Sequence, residues 1–170
     1  MNGPMKFILP PLLLVAGLIV AGQFIVRDPR IEKRYDQPVD FAALARTGKP
    51  NDYLLAPASA IAAKPDTAPP LFQASAAKLV GAAEAALLAM PRTKILARGD
   101  DGLQFEAVQR SRLMGFPDFI SIRAVPMDDD KASLWIYSRA HFGHSDLGVN
   151  KKRVEELVQV VEQRLPGRAS

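Results

Sequence analysis

Both histidines of this 170-residue chain fall in one short segment, Ser138-Arg139-Ala140-His141-Phe142-Gly143-His144-Ser145-Asp146-Leu147-Gly148-Val149-Asn150. A histidine can serve as general base near neutral pH, and a serine becomes a nucleophile when a base stands within hydrogen-bond reach. His141, His144, Ser145 and Asp146 therefore define the alternative reading of the chain, a hydrolase-like enzyme. Against it, residues this close in sequence seldom form a triad, and no glycine-flanked nucleophile elbow is present. Ser145 and Asp146 are explained more simply as turn and capping residues before a helix, with Gly143 and Gly148 supplying a permissive backbone. The histidines are three apart in a turn, whereas helical zinc pairs stand four apart, and Asp146 and Asp118 are the only further donors nearby. No metal and no cofactor is assigned. Cysteine is absent, which removes disulfides, thiolate ligands and thiol nucleophiles.

A second set of residues suits anion binding. Arg110, Ser111, Arg112 and Arg139 offer guanidinium forks that match phosphate or carboxylate, and a helix beginning near Asn150 offers free N–H groups at its positive end. The expected ligand site comprises Arg110, Ser111, Arg112, Arg139, His141, His144, Ser145, Asp146 and Asn150. Its ligand would be an anionic lipid, a cell-wall component or the carboxylates of an envelope protein. The plainer alternative pairs these arginines with Glu106, Asp118 and Asp146 on a solvated sheet face. Trp135 and Tyr137 beside Arg123 and Arg139 also suit base stacking. The β-α-β-β-α-β order usual for such RNA-binding sheets is missing, so no nucleic acid is expected and a protein-interaction surface fits better. The net charge of +4 and pI near 9.5 read as a solubility balance, because Lys and Arg are scattered among Asp and Glu.

The elements that must position these residues lie in the C-terminal part. Leu79, Ala83, Leu87 and Met90 follow helical spacing between a Ser75 N-cap and Pro91. Strand-like runs follow at Thr93 to Arg98, Leu103 to Arg112, Phe119 to Val125 and Ala132 to Ala140, separated by Gly/Asp-rich or Gly/Pro turns. A last helix from about Asn150 to Leu165 places Val154, Leu157, Val158, Val161 and Leu165 on one face. The expected fold is α+β: a two-layer sandwich in which an antiparallel four-stranded meander carries two helices on one face, in the order α-β-β-β-β-α. Alternation puts Phe105, Ala107, Ile120, Ile122, Leu134 and Ile136 under the helices. It puts Arg110, Arg112, Ser121, Arg123, Trp135, Tyr137 and Arg139 on the other face, too polar for a core and too aromatic for an indifferent surface.

Upstream, Phe7 to Val26 is a run of twenty residues without formal charge, the length of a transmembrane helix. Pro10 and Pro11 fall in its first turn, where missing N–H groups do least harm. Val20-Ala21-Gly22 before Gln23 resembles a signal cleavage site, but Phe24-Ile25-Val26 continues the apolar run, so a retained anchor over 1–26 is expected. Residues 27–71 carry Pro29, Pro38, Pro50, Pro57, Pro65, Pro69 and Pro70 without sustained periodicity, and read as a Pro/Ala-rich tether. The apolar pieces Val39 to Leu44 and Tyr53 to Leu55 are candidates for docking on the domain. The domain is expected over 72–166, followed by a tail at 167–170. Arg27, Arg30, Lys33 and Arg34 outnumber the charges before the span, which alone would place the domain in the cytoplasm.

Gln109-Arg110-Ser111-Arg112-Leu113-Met114-Gly115-Phe116-Pro117-Asp118, then Ser138-Arg139, then Phe142 to Arg153, resemble a bacterial and plastid family known as domain of unknown function fourteen ninety-nine. The resemblance covers roughly Pro70 to Leu165. It implies an N-terminal membrane or export segment and an extracytoplasmic, periplasmic domain on a single-pass anchor. It implies no activity, since the family is uncharacterised. The expectation is a membrane-anchored, non-enzymatic binding or envelope-associated module.

Overall fold

The computed structural model describes residues 28–165. The expected anchor, Phe7 to Val26, and the tail at 167–170 lie outside the described residues. Among those described, no helix is long and apolar enough to cross a membrane.

Where the chain alternates apolar and polar residues between tight turns it forms strands: β3 (Thr93–Arg98), β4 (Gln104–Arg110), β5 (Pro117–Pro126) and β6 (Ala132–Ala140). They pair antiparallel in sequence order, as expected of a meander. Two helices cover one face. Helix α2 (Ala76–Leu88) starts at Ser75, whose Oγ accepts the Lys78 N–H, and helix α3 (Val149–Arg164) buries Val154, Leu157 and Val161. Together they enclose Phe105, Ala107, Ile120, Ile122, Leu134 and Ile136.

The structure departs most from the sequence reading in the stretch expected to be a tether. It supplies a short helix α1 (Pro29–Lys33) and two further strands, β1 (Asp52–Leu55) and β2 (Leu71–Phe72). Both strands pair with β6, so the sheet has six strands in the order β1-β6-β5-β4-β3, with β2 beside β1 on the β6 edge. The intervening chain crosses the sheet's second face. There Phe41, Leu44, Leu54 and Ala56 bury themselves with Tyr137, flanked by Val39, Ile61 and Trp135. The domain thus has three layers, not two: helices, sheet, and an irregular cover.

The physical reason is twofold. A four-stranded sheet would leave β6 an open edge and a broad aromatic face in water, both costly. Proline forbids helix in the cover but not packing, provided that its backbone groups find partners. They do: Glu106 accepts the Val39 N–H at 2.9 Å, and Asp66 accepts the Leu54 N–H at 2.8 Å.

Candidate functional site

Antiparallel pairing gathers the start of β3, the end of β4, the start of β5, the end of β6 and the start of β1 at one end of the sheet. The turn 111–116 and the loop 141–148 emerge there, and α1 packs against it. A cleft of about 360 Å³ opens at this end beside α1. Arg92, Lys94, Arg110, Ser111 and Arg112 line it, with Glu32 as its one carboxylate.

The cleft is organised by hydrogen bonds. Arg110 donates through Nη2 to Glu32 Oε1 at 2.7 Å and through Nη1 to the Gly115 carbonyl at 2.9 Å, which ties α1 and the turn to the strand end. Lys94 Nζ donates to Glu32 Oε2 at 3.1 Å. Burial works to raise the Glu32 pKa, but the bonds from Arg110 and Lys94 hold it below the ordinary value. Arg92 donates Nε–H to the Arg110 carbonyl at 2.9 Å from a left-handed backbone, φ 60°. Arg112 is exposed and makes no hydrogen bond or ion pair among the described residues. Ser111 closes the turn, its Oγ accepting the Phe116 N–H at 3.0 Å. Four cations face one carboxylate.

Arg139 is not part of this cleft, contrary to the expected convergence of three arginines. It is buried under the irregular cover. Its Nη1 donates to Ser121 Oγ at 2.9 Å, its Nη2 lies 4.0 Å from Glu106 Oε2, and its guanidinium sits between the rings of Tyr35 and Tyr137. Glu106 also accepts from Ser121 Oγ at 2.5 Å. Burial raises the Glu106 pKa, against the pull of its hydrogen bonds and Arg139. The plainer expectation, a pairing of an arginine with Glu106, holds for this residue, although the pair is internal.

The loop 141–148 separates its four expected site residues. His141 Nδ1 is 3.1 Å from Tyr35 Oη, and the imidazole packs edge-on against Phe119 and Phe142. Burial, followed by the nearby charge of Arg34, lowers its pKa. His144 is exposed. Ser145 Oγ accepts the Leu147 N–H at 3.3 Å. Asp146 accepts from the N–H groups of Gly148 at 3.0 Å and Asn150 at 2.7 Å. The N–H groups expected to greet an external anion at the start of α3 are therefore taken by the chain's own carboxylate. Ser145 and Asp146 perform turn and capping work. Among the described residues no cluster of three or more His, Asp or Glu side chains is placed to hold a metal ion.

Asn150, the last of the expected site residues, belongs to an internal network. Its Nδ2 donates to the Asn51 carbonyl at 3.0 Å, and its Oδ1 accepts from Ser138 Oγ at 2.6 Å and from Arg153 Nη1 at 2.5 Å. Arg153 continues to Asp118 at 2.5 Å and to Gln109 at 2.6 Å. Burial raises the Asp118 pKa, opposed by Arg153 and assisted by the charge of Asp146. These groups lock α3 to the sheet. The cleft residues that sequence reasoning missed are Glu32, Arg92 and Lys94. Lys94 carried one legible signal: it lies opposite Val108, on the same sheet face as Arg110 two residues on.

The family model described as "Protein of unknown function (DUF1499)" matches residues 33–161. The match begins well before Pro70 and takes in β1 and the irregular cover. No curated protein matches. Among solved structures, a START superfamily protein from Mycobacterium smegmatis is 18% identical, with 57% of this chain and 93% of that chain covered and a TM-score of 0.38.

Proposed function

Because the chain belongs to the DUF1499 family of proteins of unknown function, we propose its role from the site itself. It is a non-enzymatic binding module, tethered to a membrane through residues 7–26 with its domain outside the cytoplasm. Its cleft takes an anionic group carried by a lipid, a cell-wall component or a partner protein. The observation that supports this reading is the composition of the cleft: Arg92, Lys94, Arg110 and Arg112 against Glu32 alone. Glu32 is shared between Arg110 and Lys94 and offsets only one of their two charges, and Arg112 is left presenting a planar fork to solvent. A second anion of phosphate or carboxylate geometry reduces the positive excess that remains.

The test is titration of the full chain, in neutral detergent, with glycerol 3-phosphate and with short-chain phosphatidylglycerol. Arg92→Ala combined with Arg112→Ala should weaken binding at least about tenfold, the effect of losing one charge-assisted hydrogen bond. Arg98→Ala, which removes a cation paired with Glu84 away from the cleft, should leave binding unchanged. Equal affinities for all three proteins, or no binding of either anion, would remove the basis of this reading.

A further inference from the structure

We propose that the end of the domain carrying the turn 111–116 and the loop 141–148 docks on an anionic bilayer, with Leu113, Phe116 and Leu147 inserted among the headgroups. The inference rests on the reading of residues 7–26 as a membrane anchor and adds an orientation and a lipid contact to it.

The first observation is the place where the described chain begins. Only Arg27 separates Val26 from Asp28, a reach of about 7 Å even when extended. Helix α1 starts at Pro29, and Glu32, about one turn along it, is bonded to Arg110 and Lys94. The headgroup region on each side of a bilayer is about 5–8 Å deep. The cleft end is thus held at headgroup level by a chain too short to let it leave.

The second observation is the distribution of exposed apolar side chains. Leu113 is 79% exposed, Phe116 40% and Leu147 93%, and Leu88 and Val149 are also exposed at this same end. The opposite end shows Met127 at 61%. The rings of Phe116 and Phe142, 5.7 Å apart, join the turn to the loop in one surface. Leu147 is a residue of particular interest because it adopts a left-handed backbone, φ 56°, while its side chain touches almost nothing. A β-carbon in that region is strained, and glycine would serve better there. Folding alone gives no reason for a leucine; insertion into lipid does.

The third observation is charge. The docking end carries Arg30, Lys33, Arg34, Arg92 and Arg112, all outward, with Asp28 beside Arg30 offsetting one of them. The opposite end carries Asp100 and Asp101 in the β3–β4 turn and Asp128, Asp129 and Asp130 in the β5–β6 turn, of which Arg123 pairs with Asp101 and Lys131 with Asp128, so the acids stay in excess. A surface of anionic lipid attracts the first group within a Debye length and repels the second, which favours the same orientation as the tether.

The chain contains no cysteine, so single labels are straightforward. Leu113→Cys, Leu147→Cys and Met127→Cys, each bearing an environment-sensitive fluorophore, are introduced one at a time into the full chain. Each is reconstituted into phosphatidylcholine vesicles with and without phosphatidylglycerol, and a quencher is carried on the acyl chains. The expected result is a blue shift and loss of intensity for labels at 113 and 147, stronger with phosphatidylglycerol, and neither for the label at 127. Labels at 113 and 147 that stay as wet as the one at 127 overturn the docking. A blue shift without acyl-chain quenching also overturns it, because a second protein surface, not lipid, then covers the patch. Flotation of the same samples separates the two readings. Protein that floats with vesicles while its labels stay wet defeats the docking alone, whereas protein that does not float defeats the anchor as well.

Discussion

Arg139 holds its guanidinium 4.9 Å from the centre of the Tyr35 ring, and Tyr35 in turn stacks on Phe119 at 3.6 Å. An N-terminal residue thus supplies one wall of the environment of a buried cation at the end of β6. Together with the second cluster of buried side chains, this contact makes the cover a part of the fold and not an appendage.

The cover should therefore be needed for cooperative folding. Phe41→Ala is expected to cost about 3–5 kcal/mol, the usual penalty for emptying a buried aromatic site. That is a large share of a domain's typical stability of about 5–15 kcal/mol. A chain beginning at Pro70 should show no single cooperative transition in urea and should lose its near-ultraviolet circular dichroism. Cooperative unfolding of that short chain, with native spectra, would restore the tether.

The pair Arg153 and Asp118, at 2.5 Å, should matter more than any surface ion pair. Arg153 bonds at the same time to Ser138, Asn150 and Gln109. Arg153→Met leaves a buried carboxylate without its cation, and the expected loss is about 3–5 kcal/mol. Asp118→Asn combined with Arg153→Met should recover a good part of it, because both charges are then gone. Chemical denaturation of the single and double variants measures the coupling, and strictly additive losses would show that the two side chains do not act as a unit.

How much of this was legible in the sequence depends on periodicity. Strands β3 and β6 read to the residue because alternation and flanking turns mark them, and Ser75 marks the start of α2. The cover has no period, since its prolines force irregular backbone, so its apolar pieces could be noticed but not placed. Alternation put Arg110 and Arg139 on one face correctly. The expected meander already set β5 between their strands, two inter-strand spacings or about 10 Å apart, and that separation is what keeps Arg139 from converging with Arg110. Arg110, Ser111 and Arg112 were legible as neighbours at one strand end, whereas Arg92 was not, because a left-handed arginine has no sequence signal. The cleft was half legible. Its partner, Glu32, sits in a helix of five residues, too short to show an amphipathic stripe.

Glu106 makes a prediction about pH. Burial raises its folded pKa above the ordinary value of 4.5, so the folded state holds its proton more tightly than the unfolded chain does. The stabilisation is complete below about 4.5 and is lost as the pH rises through the folded value. Glu106→Gln removes this titration, and the stability of the variant minus that of the parent should rise with pH from about 4.5 upward. Subtraction is necessary because His141, with a lowered pKa, costs stability as the pH falls below about 6.5, the opposite sign. Slopes of unfolding free energy against pH are the readout, since the variant also changes the neighbour of Arg139. Parallel curves for variant and parent would mean that Glu106 titrates alike in both states.

The last prediction concerns Leu147. Its left-handed backbone costs about 1–2 kcal/mol for a residue with a β-carbon. Glycine would escape that strain but would lose about 0.5–1 kcal/mol through greater freedom in the unfolded chain. Leu147→Gly should therefore stabilise the protein, by about 0.5–1 kcal/mol, because the exposed side chain has no packing to give up. Thermal unfolding in neutral detergent should show a higher midpoint. The same variant should bind phosphatidylglycerol vesicles in a shallower position, read by the label at 113. A leucine kept for the bilayer predicts both changes together, one in each direction, as expected when stability is traded for a functional contact. A lower midpoint would show that Leu147 supports the fold after all, and an unchanged label would leave its strain without a membrane explanation.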